Sequence, residues 1–195
     1  GTVSRLTRNP LLVDPPSQSP QSLYQAGGWQ PITDDTVSKA QQLKDFGIDT
    51  GLFPIADVAT DPNAFIYDRT IGMDAAGTEK YVTTVVEALA GTGSGSTLKH
   101  FPGYGNNADS HTWIVTDSRP VSELAGNDFK PFIAGIKAGV DSILVSHNIV
   151  TAIDDQRPAS ISPAIHEVLR KDLGFKGVIM TDDMDMAGLA NFITQ

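Results

Sequence analysis

Short apolar segments of strand length alternate with amphipathic helices along most of the chain, and this alternation restricts the possible folds more than any other feature. The predicted strands occupy residues 52–58, 97–102, 142–147 and 177–183. Parallel strands need a connection of a dozen or more residues, and a helix normally supplies it. The sequence therefore predicts an α/β fold in which successive strands run parallel.

The intervening helices are predicted from apolar residues that fall on one helical face and from residues that mark helix ends. Helices are expected at 35–46, at 78–89, after Asn127 or Asp128, which is read as a cap, and after Ser162-Pro163 through Leu169. By contrast, residues 9–33 contain five prolines among polar residues. We expect that segment to be an irregular surface excursion.

Two parallel α/β architectures fit this pattern, a doubly wound sheet and a (β/α)8 TIM barrel. The first clear strand is not followed by a Gly-x-Gly-x-x-Gly sequence, which many doubly wound nucleotide-binding folds carry. Polar residues instead follow several different strands, as they do at the catalytic face of a barrel. The pattern favours a barrel. We interpret residues 1–195 as one domain.

Charge and composition exclude several classes of function. The chain has 14 Lys and Arg against 23 Asp and Glu, a formal charge of -9, which disfavours nucleic acid as a partner. It contains no cysteine, so disulfides and thiolate sites are excluded, and no apolar stretch approaches the ~20 residues that span a bilayer. We expect no membrane span and no cofactor, and the compartment stays undetermined.

The histidines are placed where a barrel would carry its chemistry. His100 and His147 end predicted strands, and His111 lies in the loop after the strand that carries His100. The fourth, His166, lies on a predicted helix and is interpreted as a surface or satisfied helical residue.

The loop after strand 97–102 contains the sequence Asp109-Ser110-His111. A carboxylate two residues before a histidine can hydrogen-bond one ring nitrogen and leave the other to act as an acid/base group. An ordinary polar loop remains the competing interpretation of this pair taken alone. Metal binding is not supported, because no second His/Glu cluster occurs at ligand spacing.

Asp182 directly follows the apolar run of strand 177–183 and is the first acid to leave it. In a barrel this position faces the catalytic mouth. Asp183 and Asp185 come next and suit the N-terminus of a following helix, where its dipole favours acids.

Taken together, KHFPGYG, Asp109-Ser110-His111, LVSHN and residues 158–186 resemble glycoside hydrolase family 3, in the branch that cleaves β-linked N-acetylglucosamine. The resemblance implies a retaining glycosidase that acts on carbohydrate. It assigns Asp182 as the nucleophile and Asp109 with His111 as the acid/base pair. It also implies sugar-binding roles for Lys99, His100, Arg69 and Arg5, and we add His147 as a candidate for substrate binding.

The sequence also departs from the family pattern. Tyr104 replaces a histidine of the motif KHFPGHG, and the family's Asp-Gln-Glu-Gly-Gly sequence would lie just before residue 1. Because a complete (β/α)8 unit takes ~250 residues, we expect a partial barrel. We also expect cis peptides at Lys99-His100 and Phe101-Pro102, on the resemblance to barrels whose strand ends are strained.

Two alternatives to the glycosidase remain open. A phosphorylase is one, because a neutral or cationic histidine tolerates phosphate where a carboxylate would repel it. The other is a catalytically silent barrel fragment that self-associates through open sheet edges.

Overall fold

The fold, obtained as a computed structural model, is described for residues 9–13, 15–106 and 115–185, together with residues 6, 189 and 192. Its helices are α1 Pro20–Gly27, α2 Trp29–Asp45, α3 Ala75–Ala90, α4 Val121–Gly126, α5 Phe129–Lys137 and α6 Pro163–Glu167. Its strands are β1 Thr97–Phe101, β2 Thr116–Asp117, β3 Ser142–Val145, β4 Ile149–Val150 and β5 Val178–Thr181. Short helical turns occur at Tyr67–Arg69, Ala159–Ile161 and Val168–Asp172.

The main sheet is parallel and its strands follow chain order. β3 lies between β1 and β5, with Leu144 opposite Lys99 on one side and Met180 on the other. Segment 50–58 runs parallel to β1 on its other side through the bridge between Ile55 and Lys99. A doubly wound sheet reverses its strand order at the switch point, whereas a barrel wall does not. The described strands form part of a (β/α)8 barrel.

A second, two-stranded sheet joins the connections that leave β1 and β3. β2 pairs with β4 in parallel, with Thr116 opposite Ile149 and Asp117 opposite Val150. The chain that leaves the carboxyl end of β1 is thereby tied to the chain that leaves β3.

The core lies between the sheet and the helices that cover it. Phe101 of β1 packs on Phe129 and Phe132 of α5, with ring centroids 5.5 and 5.1 Å apart. All residues of β1 and β3 are buried, but β5 is more open, and Val178 is 60% exposed. Among the described helices, none is both long and apolar enough to cross a membrane.

The expectation that residues 9–33 form an irregular excursion is wrong for most of that segment, which contains α1 and the first turn of α2. The prolines are placed where helices tolerate them. Pro20 is the first residue of α1, whose N-cap Ser19 accepts a hydrogen bond from the Ser22 amide at 3.1 Å. Pro31 lies in the first turn of α2, where backbone amides have no partner within the helix.

The predicted strand 52–58 is not a regular strand. It meets β1 through isolated contacts, in which the Ala56 amide donates to the Lys99 carbonyl at 2.6 Å and the Thr97 amide to the Phe53 carbonyl at 3.0 Å. Pro54 lies between these contacts, has no amide hydrogen and follows a cis peptide bond. The segment still runs parallel to its neighbour β1, as a strand of the predicted parallel sheet would.

The helix caps agree with the sequence at one of two places. Ser162 caps α6 as expected, accepting a hydrogen bond from the Ile165 amide at 3.3 Å. Asp128 precedes α5, but its side chain makes no cap hydrogen bond and instead binds Arg119. Asp128 therefore occupies the predicted N-cap position, but its Oδ2 binds an ionic partner and the side chain does not cap a backbone amide.

Candidate active site

Lys99 and His100 lie at the carboxyl end of β1 and are both buried, with 7% and 2% of their surfaces exposed. The peptide bonds Lys99-His100 and Phe101-Pro102 are both cis, as expected from the sequence. Phe53-Pro54 is also cis, which the sequence analysis did not foresee.

Asp57 is the residue of this site that the sequence analysis missed. It is fully buried, and its Oδ2 accepts hydrogen bonds from the backbone amide of His100 at 3.1 Å and from its Nδ1 at 2.8 Å. Its Oδ1 accepts from the Tyr104 amide at 2.8 Å. The available signal was an acid at the end of the first predicted strand, the same signal that pointed to Asp182.

The pKa of His100 lies below its ordinary value of 6.5. Burial is the main cause, because it disfavours the charged ring, and the positive charges of Lys99 and Arg69 act in the same direction. The carboxylate of Asp57 opposes them without reversing the shift. His100 is therefore a neutral imidazole near pH 7. Since a carboxylate only accepts hydrogen bonds, Nδ1 carries the proton and Nε2 is the acceptor nitrogen.

Arg69 and Tyr104 complete this cluster. Arg69 ends the helical turn Tyr67–Arg69 and is close enough to His100 to affect its pKa. The ring of Tyr104 is fully buried and packs edge-on against His100 and Phe65, at centroid distances of 5.0 and 4.9 Å. Tyr104 thus connects β1 to the segment that leads to Arg69.

Asp182 is half-buried and directly follows β5. Its amide donates to the Val145 carbonyl at 3.0 Å, and its Oδ1 accepts from the Asp183 amide at 2.9 Å. These contacts fix Asp182 at the carboxyl edge of the main sheet, the edge that also carries Lys99 and His100.

His147 was predicted to contact substrate, and that role stays a prediction. It is fully buried, its Nδ1 lies 2.7 Å from Ser160 Oγ, and its Nε2 lies 2.9 Å from the Asp183 carbonyl oxygen. A carbonyl only accepts, so Nε2 is the donor, and both ring nitrogens contact the protein. In this arrangement His147 holds the turn after β5.

Three predicted site residues lie outside the described part of the chain, namely Arg5, Asp109 and His111. Their predicted roles stay predictions. Within residues 9–13, 15–106 and 115–185, acids and histidines form no group of three or more that could hold a metal ion.

A second ionic cluster, also missed by the sequence analysis, lies next to the first. Arg119 pairs with Asp117 of β2 at 2.7 Å and with Asp128 at 2.8 Å. Both aspartates are buried, and Asp128 is close enough to Asp57 for the charge of Asp57 to raise its pKa slightly. The cluster borders a polar cavity of about 260 Å³ that Gly105, Asn106 and Asn127 also line.

Comparisons with known proteins agree with this arrangement. The family described as "Glycosyl hydrolase family 3 N terminal domain" matches residues 13–195. A curated beta-hexosaminidase of Xanthomonas campestris pv. campestris (strain B100) is 36% identical over 149 residues, which are 76% of this chain and 45% of that protein. The chain therefore spans less than half the length of this curated relative.

Solved structures give the same answer. The structure of M tuberculosis LpqI has a TM-score of 0.86 and 30% identity, and the match covers 100% of this chain and 58% of that one. A glycoside hydrolase family 3 beta-N-acetylglucosaminidase from Paenibacillus sp. str. FPU-7 has a TM-score of 0.82 and 26% identity. The match covers 91% of this chain and 34% of that chain. The chain belongs to glycoside hydrolase family 3, in its β-hexosaminidase branch.

Proposed function

We propose that the protein is a retaining glycoside hydrolase that removes terminal β-linked N-acetylglucosamine from peptidoglycan fragments or chitooligosaccharides. The observation that carries the proposal is the placement of Asp182, Lys99 and His100 at one edge of the parallel sheet. In a barrel of this class, the carboxyl edge is where substrates bind. The names of the curated relative and of the Paenibacillus structure support the choice of sugar.

The strand register supports a sugar site between β1 and β5. Asp182 follows Thr181, which pairs with Val145, and Val145 pairs with Phe101, the neighbour of His100. Adjacent strands lie about 4.8 Å apart, so two strand spacings separate the backbone of Asp182 from that of the Lys99-His100 end by roughly 10 Å. A sugar ring bound over β3 would contact both sides.

In the proposed first step, a carboxylate oxygen of Asp182 attacks the anomeric carbon while His111 donates a proton to the departing glycosidic oxygen. The product is a glycosyl ester on Asp182. In the second step His111 takes a proton from water, and the water oxygen attacks the same carbon and releases Asp182. Two inversions at one carbon retain its configuration. Asp109 stabilises the imidazolium form of His111, which is present before the first step and is formed again in the second.

Sugar hydroxyls would be held by the residues around β1. Lys99 and Arg69 donate hydrogen bonds, as Arg5 would. Neutral His100 accepts one at Nε2, because Asp57 binds its Nδ1 proton. These contacts accelerate the reaction to the extent that they strengthen as the oxocarbenium-like transition state forms.

Covalent trapping tests the proposal. A 5-fluoro-N-acetylglucosaminyl fluoride should label the protein with one sugar, because the ring fluorine slows both steps while the fluoride leaving group restores the rate of ester formation only. Peptide mapping should place the label on Asp182. Asp182→Asn should prevent labelling, whereas the matched change Asp183→Asn should allow it. A label on any other residue, or no turnover of aryl β-N-acetylglucosaminides, would contradict the proposal.

The phosphorylase alternative is distinguished by the acceptor of the sugar. A hydrolase should release N-acetylglucosamine at a rate that does not depend on inorganic phosphate. Turnover that requires phosphate and yields the sugar 1-phosphate would show that the reaction is phosphorolysis and not hydrolysis.

A further inference from the structure

Arg119 connects three separate parts of the barrel mouth through one guanidinium group. Its Nε donates to the two Asp117 carboxylate oxygens at 3.0 and 3.1 Å, and one terminal nitrogen donates to Asp117 Oδ2 at 2.7 Å. That same nitrogen donates to the Gly103 carbonyl at 3.2 Å, and the other donates to Asp128 Oδ2 at 2.8 Å. A planar fork with five donors can serve such a set of acceptors, whereas a lysine cannot.

Arg119 binds residues on both sides of one stretch of the sequence. Gly103 lies two residues after β1, and Asp117 lies in β2, so residues 107–114 fall between the two contacts. That stretch contains the predicted acid/base residues Asp109 and His111. Asp128, at the start of α5, ties the same guanidinium to the helical layer behind the sheet.

The glycines on either side of Tyr104 leave room for this ionic cluster. A Cβ on Gly103 would lie 2.7 Å from Asp128 Oδ1, and a Cβ on Gly105 would lie 2.7 Å from an Arg119 terminal nitrogen. Both glycines also have positive φ angles, 116° and 55°. The Gly103-Tyr104-Gly105 turn and the Arg119 cluster therefore fit each other closely.

Stability alone does not explain the cluster. Asp128 is fully buried, its Oδ1 has no hydrogen-bond partner among the described residues, and burial raises its pKa to about 6 despite the opposing effect of Arg119. Buried ion pairs contribute little net stability, because the desolvation of both charges offsets their attraction. What such a pair does supply is a fixed geometry.

We propose that Arg119 is a positioning residue for the acid/base step, because it holds segments 103–106 and 115–119, which flank the predicted acid/base residues in the sequence, in one fixed arrangement. This inference rests on the proposed function. It assigns no contact between Arg119 and substrate, because the guanidinium nitrogens are engaged with protein acceptors.

Leaving-group dependence tests the proposal. A poor aryl leaving group needs a proton from the acid, whereas 2,4-dinitrophenolate departs without one. Arg119→Lys keeps the charge and should lower kcat/KM for a methoxyphenyl N-acetylglucosaminide by roughly 10²-fold while that for the dinitrophenyl glycoside stays within about threefold. Base-assisted release of the glycosyl ester should also slow in Arg119→Lys and lower kcat on the dinitrophenyl substrate, and azide, an anion that attacks without base assistance, should restore that kcat.

The matched control is Arg157→Lys, which changes an exposed arginine that pairs with Asp154 at 3.7 Å. It should leave both substrates unaffected. Equal losses of kcat/KM for both substrates in Arg119→Lys would indicate a general loss of folded enzyme and overturn the proposal, as would no loss for the poor leaving group.

Hydrogen exchange tests the positioning role of Arg119 independently of the proposed function. Amides in 98–106 and 115–119 should exchange several-fold faster in Arg119→Lys than in Arg157→Lys, whether or not the substrate assignment is correct. Unchanged exchange there would overturn the positioning role. A wild-type protein that turns over neither substrate would contradict the proposed function and leave the exchange result to decide the role of Arg119.

Discussion

Asp57 fixes the tautomer of neutral His100 and the shape of the turn that follows it. Its two oxygens accept three hydrogen bonds, two from His100 and one from the Tyr104 amide. All of these groups are buried, so water cannot replace a lost partner. The proposed ability of His100 to accept a hydrogen bond from a sugar therefore depends on Asp57, which would not itself contact the sugar.

The change Asp57→Asn tests this dependence. An amide has one acceptor oxygen, so at least one of the three donors would face an NH2 group. We expect kcat/KM on an aryl β-N-acetylglucosaminide to fall roughly 10- to 100-fold, the equivalent of about 1–3 kcal/mol. Urea unfolding should show a loss of stability of similar size.

Asp61→Asn is the control for that change. Asp61 is exposed, lies on the same connection and bonds only to Asn63 and the backbone beside it. It should alter neither activity nor stability. Activity of Asp57→Asn close to that of the wild type would show that His100 is held by other contacts.

At the scale of elements, the packing of α5 on β1 depends on Gly135. A Cβ at this position would lie 2.5 Å from Leu98 Cδ1 and 2.9 Å from Val82 Cγ1. These neighbours belong to β1 and α3, so three elements meet at this glycine. A glycine within a helix costs stability unless such an approach requires it.

Gly135→Ala should therefore destabilise the protein although alanine is the better helix former. Overpacking costs about 1–3 kcal/mol and the gain in helix propensity is about 1 kcal/mol, so we expect a net loss measured by thermal or urea unfolding. Gly126→Ala is the matched control, because nothing lies within 4 Å of its Cβ position. It should be neutral or stabilising. A stabilised Gly135→Ala protein would show that α5 can move away from β1 at little cost.

At the scale of the whole molecule, the described sheet has an open side at β5. β5 pairs with β3, and no other strand within the described ranges pairs with it. Val178 is 60% exposed, whereas every residue of β1 and β3 is buried. Exposed strand edges favour pairing with another chain.

We expect the 195-residue chain to self-associate, and Val178→Lys to weaken that association roughly tenfold or more, because a charged lysine on an edge strand opposes strand pairing. Sedimentation velocity over a range of concentrations measures it. Val121→Lys, at a 44% exposed position on α4, is the control and should leave association unchanged. A chain that stays monomeric at all concentrations would contradict the prediction.

The sequence by itself determined the order of the main-sheet strands β1, β3 and β5 and of the helices α3, α5 and α6 between them, and with it the parallel α/β class, because apolar periodicity and end signals such as Ser162-Pro163 are local properties. It also indicated the polar strand ends at Lys99, His100 and Asp182. Helix α1 was missed and α2 was predicted to begin six residues too late, because the cost of a proline depends on its position within a turn.

Only the tertiary structure decided which polar groups meet. Asp57 and His100 are 43 residues apart, and Arg119 reaches Gly103 across 16 residues. His147 became a buried support for the turn after β5, because the Asp183 carbonyl and Ser160 come within hydrogen-bond distance of its ring. Burial, and not residue type, sets the pKa values of His100 and Asp128, and burial is a property of the assembled fold.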